Sequence, residues 1–362
     1  MIKPLYNDYN ALVTSLQDLC QPTNGEATNG STLELCVKAF EKLWTARFMQ
    51  LHANEEELNR QFIDIYGLQD ELTPDVPLNE ITILQQGEIT VDGDKIIWND
   101  SVIVKQLISY FVGCLMGRYS VDKKGLIIAN QHQDLHVLDL EVDGLEGSPK
   151  STIAIDDDGI IPIIEEDSFF ADDMANRISK AVEAVFGKDC FTENMRFIEH
   201  ALGKTLRGYL FKDFYADHVQ MYSVKGDRRP IYWLFSSRMG DKHKYGYFRA
   251  LVYMHRMEAD TLSQLHATYV APYLKKAETQ LREAENELTR DDLTGAQRNK
   301  ANRKADELRS KVREVREFET KLVEMASHRT TFDLDDGVKA NYPLFYPLVE
   351  PVKGLEKPKQ KD

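Results

Sequence analysis

The feature that most constrains this chain is an apolar stripe near its C-terminus. Leu274, Ala277, Leu281, Ala284 and Leu288 step by three and four residues, and after a break at Thr294-Gly295 the stripe resumes through Ala301, Ala305, Leu308, Val312, Val315 and Leu322. Such steps collect apolar groups on one side of a helix and leave charge on the others. Two such helices joined by a glycine turn predict a long antiparallel, coiled-coil-like hairpin. It has no second apolar face, so the pattern suits a spacer or docking arm better than a reaction site.

The rest of the 362 residues reads as a mixture of helices and short strands, giving a helix-rich α+β fold. Tyr9, Leu12, Val13 and Leu16 make a short helical pattern that runs into a Gly/Asn/Thr loop before residue 31. The run from Ser31 to Gly67 has helical spacing and predicts two helices with a break near His52–Asn54. Residues 81–98 alternate and turn at Asp92-Gly93, as a β-hairpin does. Residues 101–119 predict a helix buried on most sides, with Gly113 and Gly117 allowing close packing. From Asp134 to Asp173 there are thirteen acids and one lysine, which predicts an exposed strand-and-loop segment whose one buried strand is Gly159–Ile164. Helices are expected over 172–186 and 192–222, and disorder in the last nine residues.

Charge is distributed unevenly. Between Arg196 and Arg256 there are twelve Lys or Arg against five acids, a local +7 in a chain of formal net charge −14, so the remainder carries −21. Within this island the segment Arg228–Arg256 holds two aromatic-rich strand candidates around a basic connection. That is the pattern of a surface that grips phosphates with Lys and Arg and meets bases with aromatic and hydroxyl groups. Arg228, Arg229, Lys242 and Lys244 are the phosphate candidates, Arg238 and Arg249 the base candidates, with Tyr232, Ser236 and Ser237 beside them. Trp233 is expected in the core and Arg256 as a brace. A solvated basic face is the competing reading of the same charge.

Reaction chemistry has little to stand on. There is no GxGxxG, no phosphate loop ending in GK[ST] and no GxSxG elbow. Asp156-Asp157-Asp158-Gly159 and Asp333–Gly337 echo the start of a calcium loop, but position twelve of the second is Leu344 where a bidentate Glu belongs. His132 and His136 lack the Glu of HExxH, and Asp213, Asp217, His218 and His255 follow no catalytic spacing. Cys20, Cys36, Cys114 and Cys190 form no CxxC pair and are expected as small buried hydrophobes. No catalytic or metal residue is therefore assigned. The absence of a membrane-length apolar run and of a signal core makes a cytoplasmic location the expectation.

Six segments in order, at 57–78, 108–130, 197–222, 228–237, 250–256 and 333–342, resemble the C-terminal part of the large adenine-specific DNA methyltransferases of BREX phage-defence systems, the PglX family. Related segments occur in type IIG restriction–modification enzymes. The resemblance implies a full-length protein whose N-terminal Rossmann-like core uses S-adenosylmethionine and an Asn-Pro-Pro-Tyr/Phe motif to modify the N6 amine of a flipped adenine. This chain has no Asn-Pro-Pro motif and no glycine-rich cofactor loop, so no catalytic residue carries over and no cofactor is expected in it. It looks like the recognition half: an N-terminal helical region at 1–78, a mixed α/β DNA-recognition domain at 79–256, the hairpin spacer at 257–328, and a return segment with tail at 329–362. The implied partners are double-stranded DNA, a methyltransferase core or other BREX proteins, and a phage-encoded DNA mimic. The alternative is a protein-interaction scaffold built on the hairpin and the acidic surface.

Overall fold

The computed structural model describes residues 32–81, 87–166, 169–171, 173–238, 244–290 and 292–355. The 9–16 helical pattern, Cys20, Lys242 and the tail after residue 355 lie outside them. The fold is helix-rich α+β with small antiparallel sheets. No described helix is long and apolar enough to cross a membrane. The chain divides into two compact units, residues 1–114, 119–125 and 178–204 in one and residues 115–118, 126–177 and 205–362 in the other.

In the first unit a single helix, α1, runs Leu33–Tyr66. The expected break at His52–Asn54 does not occur. No glycine or proline interrupts the run, and His, Ala and Asn each cost a helix only tenths of a kcal/mol. The His52 ring instead bonds the Val76 carbonyl at 2.6 Å and lies 3.2 Å from Glu56, tying the middle of the helix to the chain that follows it. Thr32 caps the start, and Gly67 ends the helix in the left-handed region at φ 64°. The hairpin of β1 (Ile89–Asp92) and β2 (Lys95–Trp98) forms, with Asp92 paired to Lys95 and the turn at Gly93-Asp94, one position on from the expected Asp92-Gly93, and Ile89 packs with Phe48, Leu78 and Ile81. Helix α2 (Asp100–Leu115) is buried over most of its length.

The helix expected over 192–222 is three. After α3 (Met174–Phe186), α4 (Phe191–Leu202) stops at Gly203, left-handed at φ 66°, and Thr205 caps α5 (Leu206–Lys212), which breaks at Asp213 before α6 (Phe214–Met221). Glycine adopts positive φ without a Cβ clash, so a helical pattern across it is easily interrupted.

The second unit is built on a three-stranded antiparallel sheet. Its order is β3 (Ile160–Pro162), β7 (Arg249–Tyr253), β6 (Tyr232–Ser236), after the short ribbon of β4 (Ser223–Val224) and β5 (Asp227–Arg228). Both strands expected in the Arg228–Arg256 segment are present, and both are buried on both faces. Trp233 is fully enclosed and packs on Phe332, Tyr342 and Phe345, while Tyr232 stacks on His218. The return segment adds to the β6 edge, with Ser236 N donating to Leu348 O and Glu350 N to Leu234 O.

The C-terminal stripe folds as expected. A helix begins at α7 (Thr261–Gln264), passes through a π stretch at Leu265–Val270 and continues as α8 (Ala271–Leu288); α9 (Gly295–Ser327) follows behind a Thr294–Gln297 capping box. Glu285 pairs with Arg309 and Glu278 with Arg316, so the partner number falls as the other rises and the helices run antiparallel. Ala284, Ala305 and Leu308 fill the seam, with Leu281 and Leu288 against them.

Candidate nucleic-acid interface

Part of the basic island is folded inward. Arg249 sits in the core with its guanidinium on the Phe211 carbonyl, over the Phe211 and Tyr245 rings, and 3.8 Å from Glu350. Arg238 is half-buried and reaches the same carboxylate at 2.9 Å. Arg207 is held by buried Asp173, the Ile164 carbonyl and Asn176. Arg256 braces the domain as expected, though through the Asp156 and Asp157 carbonyls rather than a salt bridge. Burying an unpaired cation costs several kcal/mol, so each of these arginines has partners inside the fold, although the buried Arg249 Nε itself has no hydrogen-bond acceptor.

The expected DNA contacts therefore separate into two groups. Tyr232, Ser236, Ser237 and Arg249 are buried, and no phosphate or base reaches them while the fold is closed. With Arg238 they form the frame of the connection. Arg228 donates to the Lys353 carbonyl at 3.0 Å, and exposed Arg229 lies 3.2 Å from Asp227, which Lys339 also pairs. Lys244 is exposed, its ammonium 5.0 Å from the Tyr245 ring centre, and Lys242 falls outside the described residues. Arg228 and Arg229 precede β6 and Lys244 follows it, so a five-residue strand, roughly 15 Å, separates the two sets.

Between the two strands the connection closes at a narrow neck. Ser237 N donates to Phe248 O and Phe248 N to the Ser237 hydroxyl, both at 2.9 Å. Glu314 on α9 then accepts from the Ser237 hydroxyl at 2.7 Å and from Tyr247 N at 2.9 Å. Gly246 is required by proximity: a Cβ there would lie 2.5 Å from Arg238 N and 2.6 Å from the Ser236 hydroxyl. Beside the neck opens a cavity of about 200 Å³, walled by Phe211, Tyr245, Tyr247 and Tyr273, with the Lys311–Glu166 pair in its lining. Sequence reasoning did not find Glu314 or Glu350, because each acts on residues 67 to 112 positions away and neither lies in a motif.

The remaining candidates resolve as structure. His218 is buried among Phe214, Tyr215, Tyr222 and Tyr232, and its Nε2 accepts from Tyr232 N at 3.2 Å. Burial, with Arg118 adding repulsion, lowers its pKa to about 3, and the same causes lower His255 to about 4. Both rings are neutral, His218 in the core and His255 half-buried. Asp217 accepts from the Tyr209 hydroxyl, and the His132 ring bonds Glu258. Among the described residues Asp156, Asp157 and Asp158 bring three carboxylates together. The segment is less exposed than expected, for Asp156 is buried, accepts from Gly159 N and Ile160 N and pairs with Arg177 at 3.0 Å, which makes it a turn closed on an arginine. Asp333 accepts from Asp335 N in a 3-10 turn. Cys114 is a buried free thiol and Cys190 a half-buried one, whereas Cys36 is disulfide-bonded and so departs from the expected set of plain hydrophobes. S-adenosylmethionine finds no fitting site among the described residues, where no strand passes through a glycine-rich turn into a helix N-terminus.

No protein-family model matches the chain. It is 34% identical over 325 residues, 85% of its length, to the adenine-specific methyltransferase BrxX of Escherichia coli O9:H4 (strain HS). The chain is PglX-like. It is also 32% identical over 321 residues, 86% of its length, to the adenine-specific methyltransferase PglX of Lacticaseibacillus casei (strain Zhang). The matches take in 26% and 24% of those relatives, so the PglX-like chain spans about a quarter of the proteins it resembles.

Proposed function

We propose that this chain is the DNA-handling, target-recognition part of a BREX-type adenine-specific methyltransferase and that the catalytic core acts from elsewhere. The observation that carries the reading is the 34% identity to BrxX along 85% of a chain that lacks the Asn-Pro-Pro and glycine-rich motifs of catalysis. A base-flipping enzyme needs a second body to find and hold the duplex, because its pocket reads one extruded base. Here the contacts fall to Arg228, Arg229, Lys242 and Lys244, joined by exposed Lys225 at the turn between β4 and β5. Buried Arg249 and half-buried Arg238 keep the connection in shape, and Glu314 pins its neck. An acidic DNA mimic would compete for the same cations. The alternative is a protein-interaction scaffold that uses the charged outer faces of the hairpin and the acidic surface.

Fluorescence anisotropy with a random-sequence duplex across a salt series tests this. Binding should weaken with a log–log slope of about −0.9 per phosphate contact. Replacing Arg229, Lys225 and Lys244 by Ala should flatten the slope and leave urea stability unchanged. No binding at low salt overturns the reading, and an unchanged slope moves the surface elsewhere.

A further inference from the structure

The C-terminal half of α1 turns large apolar side chains to water. Leu58, Phe62, Ile65 and Tyr66 are 52%, 49%, 74% and 69% exposed, while Ile63 of the same turns is buried. Positions i, i+4, i+7 and i+8 share one helical face, and the Phe62 and Tyr66 rings stack with centroids 6.3 Å apart. Leu72, 55% exposed, follows just beyond the Gly67 cap. Single exposed apolar residues need no explanation, but a continuous aromatic-bearing stripe on a capped helix is the form of an interface that packs a second helix.

Charge around the stripe selects what covers it. Residues 55–75 contain seven acids against the single base Arg60. Glu57 is engaged by Arg60, but Glu55, Asp70 and Glu71 have no ion pair among the described residues. This negative rim repels a second copy of the same face, a phosphate backbone and an anionic lipid surface alike. It attracts a cationic rim around an apolar stripe. We propose that this face of α1 docks a basic amphipathic helix of a protein partner. Phe62, Ile65 and Tyr66 form the apolar anchor, and the unpaired acids set its orientation and salt sensitivity. The surface is distinct from the nucleic-acid interface, and the proposal does not depend on that reading.

The test uses two labelled helical peptides about five turns long, one with leucines on a lysine background and one with the same leucines on a glutamate background. The Leu/Lys peptide should bind the chain in a salt-sensitive way and the Leu/Glu peptide at least about tenfold more weakly. A Phe62→Ser, Ile65→Ser double variant should lose about tenfold or more in affinity for the Leu/Lys peptide, with its circular dichroism unchanged because both positions are exposed. A Glu55→Gln, Asp70→Asn, Glu71→Gln variant should lose the salt sensitivity. Failure of the Leu/Lys peptide to bind, equal binding of the two peptides, or binding indifferent to the apolar variant overturns the proposal. So does a dimer in sedimentation that the apolar variant splits, which would assign the face to a second copy.

Discussion

Arg–Glu pairs hold both the β6–β7 sheet and the α8–α9 hairpin, yet they do different work in each. At the sheet, buried Arg249 and half-buried Arg238 converge on Glu350. On the hairpin, Arg309–Glu285 and Arg316–Glu278 lie on the outside of a seam made of alanine and leucine. A buried pair leaves a stranded charge when one partner goes, whereas an exposed pair is solvated either way. The same letters in a sequence therefore mark a keystone in one region and ornament in the other.

The sharpest way to break the comparison is Glu350→Ala, which strands Arg249 and should cost about 3–5 kcal/mol in urea unfolding. A loss near zero would mean that water reaches Arg249. Next, Leu308→Ala should cost about 2–5 kcal/mol by opening a void against Ala284 and Ala305, and should lower helicity if the hairpin frays. The neutral histidines supply a pH test. Their folded pKa values lie below the ordinary 6.5, so unfolded chains take up protons first. Stability is full above pH 6.5 and should fall by up to roughly 1.4 kcal/mol per pH unit for buried His218 between pH 6.5 and 5, with half-buried His255 adding less because solvent screens it. His218→Gln should flatten that slope, and a pH-independent midpoint in this window would contradict the neutral rings. Smallest of all, Arg309→Ala, one residue from Leu308, should change stability by about 0–1 kcal/mol, less at high salt.

What was legible in the sequence was local. The hairpin followed from a repeat, the turn between β1 and β2, to within one position, from Asp92-Gly93, and β6 and β7 from aromatic-rich runs bounded by polar residues. The unbroken α1 was missed because His52–Asn54 looks weak as a helix in isolation, while its hold on Val76 comes from tertiary structure. The candidate site was legible only as a location. Charge counting marked the segment as a candidate and gave no sign that Arg249 would be buried and Arg238 half-buried, since both turn to Glu350, which for Arg238 lies 112 residues away. Lys244 stays exposed, with its ammonium near the Tyr245 ring.

The neck below the connection has a consequence for change. Ser237, Phe248 and Glu314 fasten the two ends of the connection together in a closed clasp, with Gly246 fitted against it. Doubling the length of a loop whose ends are already held costs only about 0.6 kcal/mol. Arg238, on Glu350, and Tyr245, against Phe211 and Arg249, belong to that clasp, so changes of letter and length are expected to be tolerated only between these two positions.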